Sequence, residues 1–196
     1  MAFGMDTTLT AREASFVADV GYDVVTRAFE DRRVTTVAGR PRQRTLDLRG
    51  TLQLAVAERL KRYPAPVKKR IEGKVAETIR EARALADVRD VAHTERMVVT
   101  TFRTSELARL AAERLATIDR MRALIAVDED VQGGAPTFKG TRVLVRHIAG
   151  LVRNKIDRRE IMEDFPEVTD GMIELAILFD RLYPQRGRPA AKGRGV

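Results

Sequence analysis

The residues best suited to chemistry near the start of the chain are polar side chains on a short predicted helix. Val25, Ala28 and Phe29 recur at helical spacing and predict a helix from about residue 22 to residue 32 with an apolar inward face. Polar residues on the outer face suit DNA, because arginine pairs with guanine and the others reach base edges or phosphates. The candidate DNA contacts are Tyr22, Asp23, Thr26 and Arg27. The alternative is an ordinary solvated helix face.

A second group of cations follows directly, between residues 32 and 44. This stretch combines β-prone residues with Gly39 and Pro41, and it predicts a β-hairpin wing. Arginines in a wing would neutralise phosphates and supply salt-sensitive affinity, whereas a solubilising loop is the alternative. With only Asp31 nearby to balance them, we favour DNA contact. The predicted contacts are Arg32, Arg33, Arg42 and Arg44, with Arg40 between them.

Residues that could carry catalysis or bind a metal are scarce. The chain has no cysteine, which excludes disulfides, thiolate metal sites and cysteine nucleophiles. Its two histidines, His93 and His147, have no nearby pattern of serine and aspartate partners. The acidic run at residues 128–130 lacks further ligands at fixed spacing. We therefore expect no enzyme activity, no metal and no cofactor.

Charge and hydropathy narrow the classes of partner. The chain has 36 Lys or Arg against 28 Asp or Glu, a formal net charge of +8, which attracts DNA, RNA, an anionic membrane surface or an acidic protein. No segment approaches the roughly 20 apolar residues of a membrane span, and nothing resembles a signal peptide. We expect a soluble, cytoplasmic protein with no membrane partner.

The elements that must position the cations form a mainly α chain with small β elements. Thr10 and Glu13 have the spacing of a capping box at the start of a first helix, and Gly21 separates that helix from the second. A further helix from about Thr51 to Arg62 follows the wing. Residues 1–64 are therefore predicted to form a winged helix-turn-helix domain.

Residues 65–123 are predicted to form a helical connector or dimerisation region. Val67, Ile71, Val75 and Ile79 recur every four residues, and a long helix begins near Ser105. The long helix carries a second apolar stripe, made of Leu107, Ala111, Ile118 and Ile125. Each of the two stripes suits either a core or a dimer seam. The β-prone segment 97–102 is expected to be unpaired within the chain and able to pair edge to edge with its copy in a homodimer.

Residues 124–184 are predicted to form a hairpin plus three helices, followed by a disordered basic tail at 185–196. The hairpin turns at Gly140, Asp157 has the position of a helix cap, and either Thr169 or Asp170 starts the last helix. We expect Thr141 and Arg142 to fasten the hairpin to the helices, Arg142 through hydrogen bonds.

This last region resembles a small domain of unknown function that is common in VapB-like antitoxins paired with PIN-domain (VapC-like) or related ribonuclease toxins. The resemblance lies in Gly134–Pro136, Lys139–Val143, Val145, Ile161 and Phe165–Pro166. Lys155 departs from it, because glycine is expected between the first two helices. Residues 9–60 are more loosely similar to a MerR-like winged helix-turn-helix, with Arg44–Leu48 leading from the wing into the next helix.

The resemblance implies an antitoxin that represses its own operon and holds a ribonuclease toxin. PIN-type toxins keep carboxylates around a metal, and a guanidinium can grip such a pocket. The predicted toxin contacts are Phe138, Lys139, Arg142, Arg146, Arg186 and Arg188. A stand-alone transcriptional regulator is one alternative, and an RNA-binding or nuclease-like protein is another. The absence of an acidic tetrad argues against a nuclease.

Overall fold

The chain folds into a mainly helical structure with short antiparallel strand pairs. The computed structural model describes residues 3–31, 33–34, 44–95 and 98–185. The chain divides into two compact units, Met1–Ala116 and Thr117–Val196, and the predicted domain boundary at residue 64 lies inside the first. None of the helices in the described ranges is both long and apolar enough to cross a membrane.

Most of the elements belong to the first unit. In chain order they are β1 (Thr8–Thr10), α1 (Ala11–Ala18), α2 (Tyr22–Glu30), β2 (Thr45–Asp47), α3 (Leu48–Arg59), α4 (Ala65–Glu81), β3 (Val91–Glu95), β4 (Val98–Phe102) and α5 (Thr104–Leu124), which continues into the second unit. The second unit adds β5 (Ile125–Ala126), β6 (Thr137–Phe138), α6 (Val145–Arg153), α7 (Arg158–Asp164) and α8 (Asp170–Leu182).

The start of α1 confirms the predicted capping box. The Glu13 backbone N–H donates to Thr10 Oγ1 over 3.3 Å, and the Thr10 backbone N–H donates to Glu13 Oε2 over 2.8 Å. These bonds satisfy two backbone donors that a helix N-terminus otherwise leaves without partners. Because Thr10 also ends β1, the cap joins the strand to the helix with no intervening loop.

The predicted start of the third helix at Thr51 is wrong by three residues. β2 pairs antiparallel with β1, Leu46 opposite Leu9, and both of these side chains are buried. Asp47, which ends β2, accepts a hydrogen bond from the Gly50 backbone N–H over 2.8 Å. This side-chain cap lets α3 begin at Leu48.

Helix α4 packs within the first unit. Ile71, Val75 and Ile79 are buried as the four-residue spacing predicts, whereas Val67 is half-buried. The N-terminal segment is bound to the chain just after α4. There the Met5 N–H donates to the Arg83 carbonyl over 2.9 Å. The Leu85 N–H likewise donates to the Phe3 carbonyl over 3.0 Å.

Strand β4 is not unpaired as expected, because β3 pairs with it in an antiparallel hairpin. The register places Val91 opposite Phe102 and His93 opposite Thr100. The side chains of Val91, His93 and Phe102 are buried on one face, while Val99 on the other face is 64% exposed. Helix α4 lies against β3 rather than β4.

The second unit has its own hydrophobic core between the β5–β6 pair and α6, α7 and α8. Its buried members are Phe138, Val145, Ile148, Ala149, Ile161, Val168, Ile173 and Ala176. The predicted caps are confirmed: Asp157 accepts from the Arg159 N–H over 2.8 Å, and Thr169 accepts from the Met172 N–H over 3.3 Å. These caps fix where α7 and α8 begin.

The turn between α6 and α7 explains why glycine is expected at residue 155. Lys155 has φ of 63°, in the left-handed region that favours glycine. Its backbone N–H donates to the Val152 carbonyl over 2.9 Å, and the next N–H, of Ile156, donates to the Leu151 carbonyl over 3.1 Å. The turn therefore keeps its hydrogen bonds, and the lysine carries the conformational strain.

Candidate functional site

In the first unit, the short helices α1 and α2 are joined by a turn at residues 19–21. Asp19 ends α1 with φ of 58°, so the left-handed residue of the turn is Asp19 rather than glycine. Ser15 Oγ donates to the Val20 carbonyl over 2.7 Å, which fastens the turn to the helix before it. Helix α2 buries Val25, Ala28 and Phe29, as its spacing predicts.

Two arginines from later helices clamp this turn. Arg114 of α5 lies 3.1 Å from the Asp19 carboxylate and donates to the Val17 carbonyl over 3.3 Å. Arg59 of α3 lies 3.9 Å from the same carboxylate and donates to the Ala18 carbonyl over 3.5 Å. Cations at the C-terminal end of a helix complement its exposed carbonyls. We call Asp19, Arg59 and Arg114 the turn clamp; sequence reasoning missed it because no local pattern links residues so far apart.

Of the candidate DNA contacts on α2, Thr26 is half-buried and the others are exposed, with Asp23 and Arg27 paired with each other. Arg27 Nη2 lies 2.9 Å from Asp23 Oδ2, and the two side chains are 67% and 64% exposed. Thr26 Oγ1 donates to the Tyr22 carbonyl over 2.9 Å, so its proton is used within the helix. The guanidinium of Arg27 is held by one exposed ion pair, which costs little to exchange for a contact with a base.

Arg12 of α1 is a member of this surface that sequence reasoning missed. Its guanidinium carbon lies 4.4 Å from the centre of the Tyr22 ring, in a cation–π contact. Tyr22 remains 42% exposed. The contact joins the first turn of α1 to the first turn of α2, ten residues on, and places a second cation beside the predicted DNA contacts.

The predicted wing lies mostly outside the described residues, and with it Arg32 and Arg42. Of the wing arginines that the structure describes, Arg33 pairs with Asp31 over 2.6 Å. Arg44 lies with its guanidinium carbon 5.9 Å from the centre of the Phe29 ring. Both therefore lie near α2, Arg33 through Asp31 and Arg44 through Phe29.

In the second unit, the predicted toxin contacts separate into buried and exposed residues. Phe138 is completely buried, so its assignment to a contact surface is wrong and its side chain belongs to the core. Lys139 and Arg142, which follow it in the turn, are exposed. Thr141 holds the turn, because its Oγ1 donates to the Phe138 carbonyl and accepts from the Val143 N–H, both over 3.0 Å.

The hydrogen bonds expected of Arg142 are absent from the described part of the chain, and those of Thr141 hold the turn itself and do not reach the helices. Gly140, with φ of 80°, provides the sharp bend between them. The turn therefore presents two cations, Lys139 and Arg142, on a backbone fixed by its own threonine. We call these two residues the turn cations.

Arg146 joins two helices of the second unit. Its guanidinium lies 3.2 Å from Asp180 and donates to the Tyr183 carbonyl over 2.6 Å. It also lies 5.3 Å from the centre of the Phe179 ring, while Arg153 binds Asp180 as well. Its contacts fasten the start of α6 to the end of α8. The remaining predicted contacts, Arg186 and Arg188, lie outside the described residues.

An apolar groove of about 320 Å³ opens on the second unit. Its lining residues are Met121, Arg122, Ile125, Val127, Phe179 and Tyr183. Val127 is 68% exposed, and the neighbouring Leu124 is 40% exposed. The Lys139 backbone N–H donates to the Leu124 carbonyl over 2.8 Å. Lys139, the first of the two turn cations, therefore lies close to the residues that line this groove.

Comparisons with known proteins place the second unit in context. Residues 125–179 match the model of a family described as "Protein of unknown function (DUF433)". The chain is 32% identical over 78 residues to "Uncharacterized protein y4eO" of Sinorhizobium fredii (strain NBRC 101917 / NGR234), a match that covers 40% of this chain and 35% of the relative. The match thus spans about a third of that relative's length. No solved structure matches the chain.

Proposed function

We propose that this chain is the antitoxin of a type II toxin–antitoxin pair. In this proposal it neutralises a PIN-domain (VapC-like) ribonuclease and, as a homodimer, represses its own operon by binding operator DNA. The observation that carries the proposal is the order of the units: a clamped turn between α1 and α2, with an exposed polar face, precedes a compact unit that matches a domain family. The resemblance of the second unit to antitoxin domains supports the toxin half of the proposal.

The distribution of charge supports DNA binding by the first unit. Residues 1–116 contain 22 Lys or Arg against 16 Asp or Glu. Residues 117–185 contain 10 against 12, and the last eleven residues contain four cations and no acid. The excess positive charge therefore lies in the unit that carries α2 and in the tail, and not in the second unit's core. Phosphate attraction is the main source of sequence-independent affinity for DNA.

The exposed features of the second unit suit a partner with both apolar and acidic groups. Val127 and Leu124 offer apolar surface beside the groove, and the turn cations offer charge next to it. The resemblance implies a toxin whose active site is rich in carboxylates. A guanidinium stays charged and can bind a carboxylate through two hydrogen bonds, which makes Arg142 the leading contact in the second unit. Arg186 and Arg188, in the tail, can bind carboxylates of the toxin in the same way.

The DNA half is tested by a mobility-shift assay on the region upstream of the chain's own gene. Arg27→Ala should weaken binding to that DNA by about 1–3 kcal/mol if the contact with a base is bidentate. Arg80→Ala is the matched control, because Arg80 is an exposed arginine on α4 of the same unit. Equal losses for the two variants, or no specific binding by the wild type, would refute base contact by α2.

The toxin half is tested by co-expressing the neighbouring reading frame and measuring co-purification and ribonuclease activity. Arg142→Glu should release activity, because it places a carboxylate against an acidic pocket. Arg159→Glu, an exposed arginine on α7, is the control and should leave the complex intact. Specific DNA binding without any partner from the neighbouring gene would instead support a stand-alone regulator.

A further inference from the structure

Among the described residues, the outer edge of β4 has no partner strand. Lys74 Nζ donates to the Ala92 carbonyl over 3.0 Å, so Ala92 directs its backbone polar groups away from β4 and towards α4. Backbone groups alternate along an antiparallel pair, and Ala92 lies opposite Thr101, as Thr94 lies opposite Val99. Val99 and Thr101 therefore present their N–H and C=O groups on the outer edge of β4.

The sequence of β4 lacks the residues that usually protect a free strand edge. Proteins block such edges with lysine, proline, bulges or a covering element, because unpaired backbone groups recruit another strand. The five residues of β4 include no charged residue, no proline and no glycine. Within the described residues, its only partner strand is β3. The edge of β3, in contrast, is covered by Lys74 and α4.

We infer that β4 pairs antiparallel with β4 of a second copy of this chain, about a two-fold axis at Thr100. In this register Val99 of each copy lies opposite Thr101 of the other, so all four outward-facing residues exchange backbone hydrogen bonds. The two hairpins become one four-stranded sheet. Strands rich in β-branched residues suit this arrangement, and β4 contains two valines and two threonines. The exposed Val99 side chain gains a neighbour across the axis.

A second copy is the occupant that the edge fits best, because the edge is complementary to itself. With the axis at Thr100, every residue of β4 lies opposite an uncharged residue of the same strand, so no charge opposes the pairing. The pairing requires no DNA and no toxin, and it can hold whether or not the proposed function does.

The chain's lack of cysteine allows a direct test of the register. With the axis at Thr100, the two Thr100 residues form a non-hydrogen-bonded pair with Cα atoms about 4.5 Å apart, which a disulfide can bridge. Under mild oxidation, Thr100→Cys should give a covalent dimer. Thr94→Cys is the matched control, because Thr94 is more exposed but lies on β3. Equal cross-linking of the two variants would overturn the proposed register.

The second test measures the dimer itself by sedimentation equilibrium of the full chain without DNA. Val99→Pro removes a donor from the outer edge of β4, twice per dimer, and should raise the dimer dissociation constant about 30-fold. Thr94→Pro makes the same change on the outer edge of β3 and should leave the dimer intact; circular dichroism checks that both variants fold. A wild-type monomer of 22.0 kDa at micromolar concentration, or a dimer unaffected by Val99→Pro, overturns the inference.

The same samples in the mobility-shift assay separate this inference from the proposed function. A monomeric wild type that binds the operator overturns the β4 pairing and supports DNA binding. If the wild type is a dimer that Val99→Pro weakens, but it does not bind the operator, the result supports the pairing and contradicts the repressor role.

Discussion

At the scale of single residues, the most informative contact is the ion pair between Asp23 and Arg27. Both side chains are about two-thirds exposed, and an exposed pair of this spacing stabilises a helix by about 0.3–0.5 kcal/mol. That value is small beside the 1–3 kcal/mol of a bidentate contact with guanine. The pair can therefore hold Arg27 in place without preventing it from binding DNA.

Replacing Asp23 should consequently change two quantities in opposite directions: the affinity for unrelated DNA should rise, and the preference for the operator should fall. Asp23→Asn removes a negative charge from the proposed DNA-binding surface, so we expect several-fold tighter binding to unrelated DNA at low salt. Discrimination between the operator and unrelated DNA should fall, because Arg27 loses the carboxylate that orients it. Competition mobility-shift assays measure both quantities. Glu30→Gln, an exposed residue at the other end of α2, provides a comparison; an identical effect would show that only net charge matters.

Lys155 allows a prediction about stability. A non-glycine residue in the left-handed region carries strain that glycine avoids, so Lys155→Gly should stabilise the protein by about 0.5–1 kcal/mol. Lys155→Ala removes the same side chain but keeps a Cβ, and it should give no such gain. Denaturant unfolding monitored by circular dichroism measures the difference. A Lys155→Gly variant no more stable than Lys155→Ala would contradict the strain argument.

At the scale of elements, the turn clamp should limit the movement of α2 relative to α1. Arg114→Ala removes the closer of the two ion pairs with Asp19 and a donor to the end of α1. We expect a loss of about 1–2 kcal/mol of stability, together with weaker operator binding although Arg114 touches no residue of α2's outer face. Arg109→Ala, on the same helix, is the control. Unchanged hydrogen exchange at residues 17–21 in Arg114→Ala would argue against the clamp.

The link between the β3–β4 hairpin and α5 should depend on pH. Asp90 accepts hydrogen bonds from the Ser105 hydroxyl over 2.6 Å and from the Ser105 backbone N–H over 2.9 Å, and these bonds hold its pKa below the usual value. A lowered pKa in the folded state means that the stabilisation is present at neutral pH and is lost as pH falls through that pKa. The stability difference between wild type and Asp90→Asn should therefore be full at neutral pH and shrink as the pH falls below the ordinary aspartate pKa of about 3.9, as measured by thermal unfolding. A pH-independent difference would contradict this assignment.

Local patterns in the sequence predicted the elements whose ends are set by neighbouring residues. Thr10, Asp157 and Thr169 each cap a helix through a bond to a backbone N–H two or three residues away, so sequence spacing alone identifies them. Strand β3 escaped prediction because its buried face combines Val91 with a histidine, His93, so the strand lacks the alternating apolar residues that mark a half-buried strand. The burial of Phe138 also escaped it, since an aromatic residue beside a turn suits a core and a contact surface equally well.

At the scale of the whole molecule, the residues that support α1, α2 and the turn between them are spread over the entire first unit. Residues 3–5 bind the chain after α4, and the turn clamp draws on α3 and α5. We therefore expect a fragment of residues 1–116 to retain specific operator binding and a fragment of residues 1–64 to lose most of it. Mobility shifts with both fragments, alongside circular dichroism, provide the measurement. Full specific binding by residues 1–64 would show that the clamp is dispensable.

The position of Arg114 in the chain also has a consequence for the order of events during synthesis. All predicted DNA contacts on α2 leave the ribosome within the first thirty residues, yet Arg114 follows Asp19 by 95 positions. At typical translation rates that interval lasts roughly 5–20 s. A nascent or prematurely terminated chain thus carries α2 before the turn that precedes it is held by Arg114. We expect such incomplete products to bind the proposed operator weakly. The fraction of operator that is bound should then depend on the amount of full-length protein.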